Sequence, residues 1–157
     1  LAVAQAVLFL VLGVVAGVRF SPLVGVEIFA LMFVVALGLT ALGFVIAWRM
    51  DSTQGFHAIM SVFLMPMWLL SGAFFPAPAF STAADWPQRG LALVMAANPL
   101  TYGVAALRRL LYDGTAGAIG PETPSLTVCW LVTLVFAALM LALAWKIASQ
   151  RTTGDLL

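Results

Sequence analysis

The chain has 157 residues, of which 64% are hydrophobic and 8% are charged, and its formal net charge is +1. A soluble domain carries roughly a quarter of charged residues, so this composition excludes a water-exposed globular surface. The near-neutral charge gives no reason to expect a nucleic acid partner. Cys129 is the single cysteine of the sequence, so it forms no internal disulfide. We interpret it as a small apolar side chain.

The apolar residues are grouped into long runs that end in short polar turns. A helix needs about 20 apolar residues to cross the hydrocarbon core of a bilayer. The runs therefore predict four transmembrane helices, at 1–18, 23–48, 56–75 and 126–148. Because Leu1 already lies inside an apolar run, we interpret the chain as the C-terminal part of a longer protein. The basic residues are spread too evenly between the two sides to fix the orientation.

Two shorter apolar stretches separate the third and fourth predicted spans. A first helix is predicted over 86–97, with Asp85 as its N-cap and Pro87 in its first turn. Asn98-Pro99 ends this helix, because a residue before proline is pushed out of helical geometry. A second, amphipathic helix is predicted over 100–113. Its apolar face follows the spacing i, i+4, i+7 and i+11 and comprises Leu100, Val104, Leu107 and Leu111.

The two short helices have three possible settings. They enter the membrane and return, they lie at its interface, or they form an extramembrane hairpin. Their apolar content favours the first two. The predicted fold is therefore an all-α integral membrane protein, a single domain of four transmembrane helices with a re-entrant or interfacial pair of short helices between the last two.

Motifs of ATP-binding, hydrolytic and zinc enzymes are absent from the sequence. It contains no Gly-rich P-loop, no Gly-x-Ser-x-Gly and no His-Glu-x-x-His. His57 has no nearby metal-ligand partner, so we expect no catalytic residue, metal site or cofactor in this chain. The residues alone leave three functions open: a transport subunit, a channel or secondary transporter, and a membrane-embedded lipid-modifying enzyme. The last would have to use Glu27, His57 and Asp85.

Four stretches follow one another in a specific order around the third span and the short helices. They are Gln54-Gly55-Phe56, the run 66–76, Trp86-Pro87, and Asn98-Pro99-Leu100-Thr101-Tyr102 followed by Arg108. In this order and spacing the chain resembles the permease subunits of ATP-binding cassette type-2 transporters, a family that exports drugs, polysaccharides and lipids. The resemblance covers most of the chain.

The resemblance implies six spans per subunit, of which this chain would hold spans three to six. The short helices would then be re-entrant on the extracellular side of a multi-pass protein of the inner or plasma membrane. The resemblance also implies a dimer of two permease copies that surrounds an export path. A separate ATP-binding cassette ATPase subunit would hold ATP and Mg²⁺, and membrane lipid would surround the dimer. The substrate is not readable from the sequence.

The candidate site residues fall into three groups. Glu27 lies about one turn into the second span, where it either contacts a substrate or an ion or has an interfacial or structural role. Residues expected to shape the path or its gate, or alternatively to pack and kink the span, are Pro66, Ser71, Gly72, Phe74, Phe75 and Pro76. Residues expected to build the turn between the short helices are Asn98, Pro99, Tyr102 and Arg108. Arg108 and Arg109 are expected to meet lipid phosphates or water, or alternatively an anionic substrate headgroup.

Overall fold

The computed structural model describes residues 2–15, 17–74, 85–112 and 123–150. In chain order the helices are α1 (Ala2–Val15), α2 (Pro22–Ala47), α3 (Thr53–Ile59), a π-helical segment (Met60–Leu64), α4 (Met65–Leu69), α5 (Trp86–Ala97), α6 (Pro99–Tyr112) and α7 (Leu126–Gln150). These ranges contain no strand, so the all-α prediction is confirmed for them.

Among the described residues, two helices are long and apolar enough to cross a bilayer, α2 with 26 residues and α7 with 25. At 1.5 Å per residue, each is more than about 35 Å long. The Ser21 hydroxyl caps α2 by accepting a hydrogen bond from the Val24 N–H at 3.3 Å, and Pro22 occupies the first turn. The second and fourth predicted spans are therefore confirmed as helices of spanning length.

The first predicted span is shorter than expected. In the described residues its helix, α1, covers 14 residues, about 21 Å in length, of the predicted range 1–18. A Schellman motif follows it: the Val18 N–H donates to the Gly13 carbonyl and the Gly17 N–H to the Val14 carbonyl, both at 3.0 Å. Gly17 has a φ of +100°, a conformation that glycine adopts without steric cost. The glycine thus ends the helix inside the apolar run.

The third predicted span is an interrupted helix. It runs over 53–69 as α3, the π-helical segment and α4 in direct succession, and we call this helix the third span. Pro66 has no N–H and leaves the Val62 carbonyl, four residues earlier, without its usual helical donor. The π-helical segment lies at this point. The four predicted spans therefore correspond to two full-length helices and two shorter ones, so the prediction of four transmembrane helices is confirmed only in part.

Helices α2, α6 and α7 form the packed unit of the molecule. Their buried cluster comprises Ile28, Leu31, Ala105, Ala106, Leu110 and Cys129. A Cβ atom on Gly38 of α2 would lie 3.0 Å from ring atoms of Phe136 and 3.2 Å from the Cα of Ala137, both in α7. Small residues allow this close approach of helix backbones, which is the usual basis of helix packing in lipid.

The contacts fix the relative directions of the packed helices. Glu27 of α2 contacts Trp130 of α7, and Gly38, further along α2, meets Ala137, further along α7. Since both numbers rise together, α2 and α7 run parallel to each other.

Helix α6 runs in the opposite direction. Its Gly103 lies against Val35 of α2, whereas Leu110, further along α6, shares the buried cluster with Ile28, which precedes Val35 in α2. The predicted apolar face of α6 does not form the buried seam, which is made by small residues and Leu110. Three of its four residues line a cavity of about 260 Å³ against α1 and α2, namely Leu100, Val104 and Leu107.

Candidate functional site

The third span ends in a tight turn that contains three of the predicted path residues. The Ser71 hydroxyl, 1% exposed, donates a hydrogen bond to the Trp68 carbonyl at 2.6 Å. Gly72 is buried with a φ of +84°, a left-handed conformation in which a side chain would be strained. Phe74 packs edge-to-face on Trp68, with ring centroids 4.7 Å apart. Ser71 and Gly72 are therefore required locally to close the turn.

Pro66, Phe75 and Pro76 complete the predicted path group. Pro66 lies in the first turn of α4, directly after the π-helical segment. Phe74 is 54% exposed, so its ring is available to a partner or to lipid. Phe75 and Pro76 lie outside the described residues.

Side chains of the α5–α6 region bind the backbone carbonyls at the end of the third span. Asn98 donates through Nδ2 to the Met67 carbonyl at 2.6 Å, and Arg108 donates through Nη2 to the Gly72 carbonyl at 2.9 Å. Thr101 adds a longer contact of 3.4 Å to the carbonyl of Leu70. The last carbonyls of a helix have no partner within the helix. The neighbouring helix supplies these donors.

The break between α5 and α6 is held by its own set of hydrogen bonds. The Asn98 Oδ1 accepts from the Leu100 N–H at 3.0 Å and so caps α6, in which Pro99 is the first residue. The Thr101 hydroxyl donates to the Met95 carbonyl at 2.7 Å. The Tyr102 hydroxyl donates to the Ala96 carbonyl at 2.9 Å. These bonds give donors to the carbonyls at the end of α5. The axes of α5 and α6 meet at an angle of 81°.

Arg108 and Arg109 bind residues near the two ends of the segment 70–125, which lies between the third span and α7. Arg108 binds Gly72, which follows the third span. Arg109 donates through Nε to the Pro124 carbonyl at 2.7 Å and through Nη2 to the Thr123 carbonyl at 2.6 Å, just before α7. The two guanidinium groups therefore bind protein carbonyls, whereas lipid phosphates, water or an anionic headgroup were expected from the sequence. Because the arginines are neighbours, the segment starts and ends at nearby points.

Glu27 is the ionisable side chain of α2, and it has a protein partner. Its Oε1 accepts a hydrogen bond from the indole Nε1–H of Trp130 in α7 at 3.1 Å. Both side chains are partly buried. Of the two roles predicted for Glu27, this contact favours the structural one, a polar link between parallel helices.

Substitution of Glu27 separates these two roles. A Glu27→Leu variant removes the acceptor and leaves the indole N–H unpaired, so we expect destabilisation by about 1–2 kcal/mol, the upper part of the range for hydrogen bonds between membrane helices. Glu27→Gln keeps a carbonyl acceptor for Trp130 and should stay within about 0.5 kcal/mol of the native protein. The measurement is the unfolding midpoint of the purified permease in detergent. If Glu27→Gln is as stable as the native protein but abolishes transport, the carboxylate charge contacts a substrate or an ion instead.

The contacts of this site hold helices together. In the part of the chain that the structure describes, no three His, Cys, Asp or Glu residues are grouped so that they could hold a metal ion. His57 lies on α3, where its ring contacts that of Phe56 at a centroid distance of 5.8 Å. The site consists of the end of the third span, the break between α5 and α6, and the hydrogen bonds to backbone carbonyls that join the two.

Two residues of this arrangement were not identified as site residues from the sequence. Thr101 entered only as part of a motif, and Trp130 was not singled out. The carbonyl contacts of Arg109 were not expected either. The close-packing glycines Gly38 and Gly103 were also missed. Small residues within apolar helices are the signal that could have identified these glycines.

The family comparison gives the class to which this architecture belongs. The family model described as ABC-2 type transporter, a membrane-domain family, matches residues 1–112, well over half of the chain. The matched range includes the third span, the α5–α6 break and both residues that bind its end most closely, Asn98 and Arg108. Neither the curated proteins nor the solved structures gave a match. The chain belongs to the ABC-2 type transporter family, as a membrane subunit of an ABC transporter.

Proposed function

We propose that the chain is the membrane-spanning subunit of an ATP-driven exporter. Two permease copies, identical or different, surround the substrate path, and separate ATP-binding cassette subunits hold ATP and Mg²⁺ and power the transport. The observation that carries this proposal is the family match over residues 1–112. The sequence contains no P-loop, which is consistent with nucleotide binding to a separate chain.

We propose a topology of four crossings in the inner or plasma membrane, with α5 and α6 re-entrant on the extracellular side. The parallel directions of α2 and α7 support it, because one crossing between them reverses the chain and any second crossing would make them antiparallel. The contacts of Arg108 and Arg109 support it further, since the segment leaves and returns at nearby points. The third span supplies the single crossing.

Side-selective labelling tests this topology. Phe80→Cys and Ser125→Cys are placed before and after the short helices in the full-length permease, and both should react with a membrane-impermeant maleimide added from the outside. The native Cys129 is 0% exposed and should give little background. Labelling of the two positions from opposite sides would mean that the short helices cross the membrane, and the proposed topology would be wrong.

The third span is the proposed wall of the path and of the contact with the second copy. None of the residues of α3, the π-helical segment or α4 is buried in the single chain. Val62 is 78% exposed, and Phe63, Met65 and Trp68 are each more than half exposed. A helix that its own chain leaves uncovered needs lipid or a partner around it. The turn at Ser71, Gly72 and Phe74, together with Phe75 and Pro76, is the proposed lining of the path at the end of this span.

ATP can drive transport only by favouring one arrangement of the path over another, because a ligand shifts an equilibrium by its difference in affinity for the two states. Nucleotide binding to the ATPase subunits should therefore change the arrangement of the permease pair.

Complex formation tests the proposed function. The full-length permease, co-expressed with candidate ATP-binding subunits in the same cells, should purify as a stable assembly of two permease and two ATPase chains. Its ATP hydrolysis should depend on the permease. In inside-out vesicles, we expect ATP-dependent uptake of at least one probe from a cationic dye and a fluorescent phospholipid. A permease that associates with no ATPase, or a transport activity that survives ATP depletion but stops when the proton gradient collapses, would contradict the proposal.

A further inference from the structure

The third span and the turn that follows it differ in how they are held by the chain. From Thr53 to Leu69 no residue is buried in the chain. The turn that follows is buried at Ser71 and Gly72. The body of the span is therefore loosely held by its own chain, whereas its end is fixed.

The fixed end is bound through its carbonyl groups. Asn98 and Arg108 reach the carbonyls of Met67 and Gly72 at 2.6 and 2.9 Å, over separations of 31 and 36 residues. A backbone carbonyl inside a membrane has no water to replace such a donor, so breaking these bonds is costly. The end of the span should therefore stay with α6 when the rest of the span moves.

The point at which the span can bend is marked by its helix geometry. The π-helical segment Met60–Leu64 lies between two α-helical pieces, and Pro66 removes a backbone donor at its end. Such single π turns inside α-helices are weak points of the hydrogen-bond ladder and are frequent at functional sites. The weak point thus lies between the loosely held part and the fixed part.

We propose that Asn98 and Arg108 are positioning residues that fix the extracellular end of the third span on α6, and that the span bends at Met60–Leu64 when the transporter changes access. The fixed end and the α5–α6 pair then form one body, and the segment from Thr53 to Ile59 is the arm that moves. This inference rests on the proposed function, and it names the element on which nucleotide binding acts.

Distances between spin labels in the assembled transporter test the proposal. Helix α7 serves as the reference, with one label at Val128 near its start or at Ser149 near its end. Cysteines at Gln54 and Ser149 report on the arm, and cysteines at Ala73 and Val128 report on the fixed end. All four positions are exposed in the chain. The labelled permease is mixed with an excess of unlabelled permease, so that each transporter carries one labelled copy, and a sample without introduced cysteines measures background from Cys129.

The two distances should respond differently to ATP with vanadate, which traps the nucleotide-bound state. A bend of about 20° at Val62 moves Gln54, about 12 Å away along the helix, by about 4 Å. We therefore expect a shift of about 4 Å between Gln54 and Ser149, and no resolved shift between Ala73 and Val128. An equal or larger shift at the fixed end would overturn the proposal, as would an unchanged distance at the arm.

Removal of the arginine tests the fixation itself. Arg108→Met keeps an unbranched side chain of about the length of the arginine's aliphatic part and removes the donor to Gly72, so the distance distribution between Ala73 and Val128 should become broad even without nucleotide. Arg19→Met removes the same charge from an exposed loop residue and should leave that distribution narrow. Asn98→Asp, which keeps the oxygen that caps α6 but removes the donor to Met67, is the second variant if Arg108→Met does not assemble. An unchanged distribution in the assembled variants would overturn the role of these residues.

The bending proposal can fail while the proposed function holds, and the experiments distinguish the two cases. If the native permease assembles with its ATPase and transports, but its labels contradict the expected shifts, only the bending proposal fails. If the native permease forms no complex with any ATPase, the proposed function fails first.

Discussion

Leucine in place of Gly38 should separate α2 from α7 and strongly destabilise the subunit. A Cβ atom at this position would lie 3.0 Å from two ring atoms of Phe136 and 3.2 Å from the Cα of Ala137. The ring could turn away, but the backbone atom can move only if the helices move apart. Overpacking of this kind costs about 1–3 kcal/mol and occasionally more. We expect the melting temperature of the purified permease to fall by about 5–10 °C, measured by size-exclusion chromatography after heating.

Gly43 provides a matched control in the same helix. A Cβ atom there would meet nothing within 4 Å, so Gly43→Leu changes the sequence in the same way without a steric conflict. Its melting temperature should stay within about 2 °C of the native value. Gly38→Ala should lie between the two leucine variants, because it adds the Cβ atom alone. Equal melting temperatures for Gly38→Leu and Gly43→Leu would show that the close approach of α2 and α7 does not limit stability.

The sequence predicts the helices of this protein well where the signal is local. Helices α2 and α7 follow from apolar runs longer than a bilayer crossing, and the structure has them within a few residues of the predicted ranges. The break between α5 and α6 follows from Asn98-Pro99, since the effect of proline on the preceding residue acts within one peptide unit. Such features need no knowledge of what packs against the helix.

Helix length was predicted less well where a local backbone feature interrupts an apolar run. In the first run, Gly17 ends α1 early through its left-handed backbone, although glycine is also common inside membrane helices. In the third run, Pro66 was identified as a kink, but the π-helical segment before it was not. Hydropathy counts apolar residues and carries no information about which backbone donors are used.

The contacts of the candidate site could not be predicted because their acceptors are backbone carbonyls. Every residue carries a carbonyl, so nothing in the sequence marks Met67 or Gly72 as the partner of a side chain some 30 residues away. Arg108 and Arg109 were expected at a lipid surface because their sequence neighbours indicate an amphipathic helix. The sequence does not show that Gly72 and Pro124 lie beside that helix. Glu27 and Trp130 are 103 residues apart, and their pairing follows only from the parallel packing of α2 and α7.

Leucine in place of Asn98 should loosen the junction between the third span and the short helices. Asn98 is 7% exposed. Its Nδ2 donates to the Met67 carbonyl and its Oδ1 accepts from the Leu100 N–H. Leucine has a similar size but can form neither bond, so a partly buried carbonyl and a partly buried N–H lose their partner. Each such group costs about 1–3 kcal/mol, and we expect a loss of about 2–5 kcal/mol in the free energy of unfolding.

Two further variants show which of the two bonds matters. Asn98→Asp retains an oxygen for the Leu100 N–H but has no donor for Met67, so it isolates the link to the third span from the cap of α6. Gln88→Leu replaces an amide by the same apolar side chain at an exposed position of α5 and should change stability by no more than about 0.5 kcal/mol. Unfolding midpoints of the three variants in the same detergent provide the comparison. If Asn98→Leu is as stable as Gln88→Leu, the Asn98 amide does not hold the third span to α6, and only the contacts of Arg108 and Thr101 would fix the end of that span.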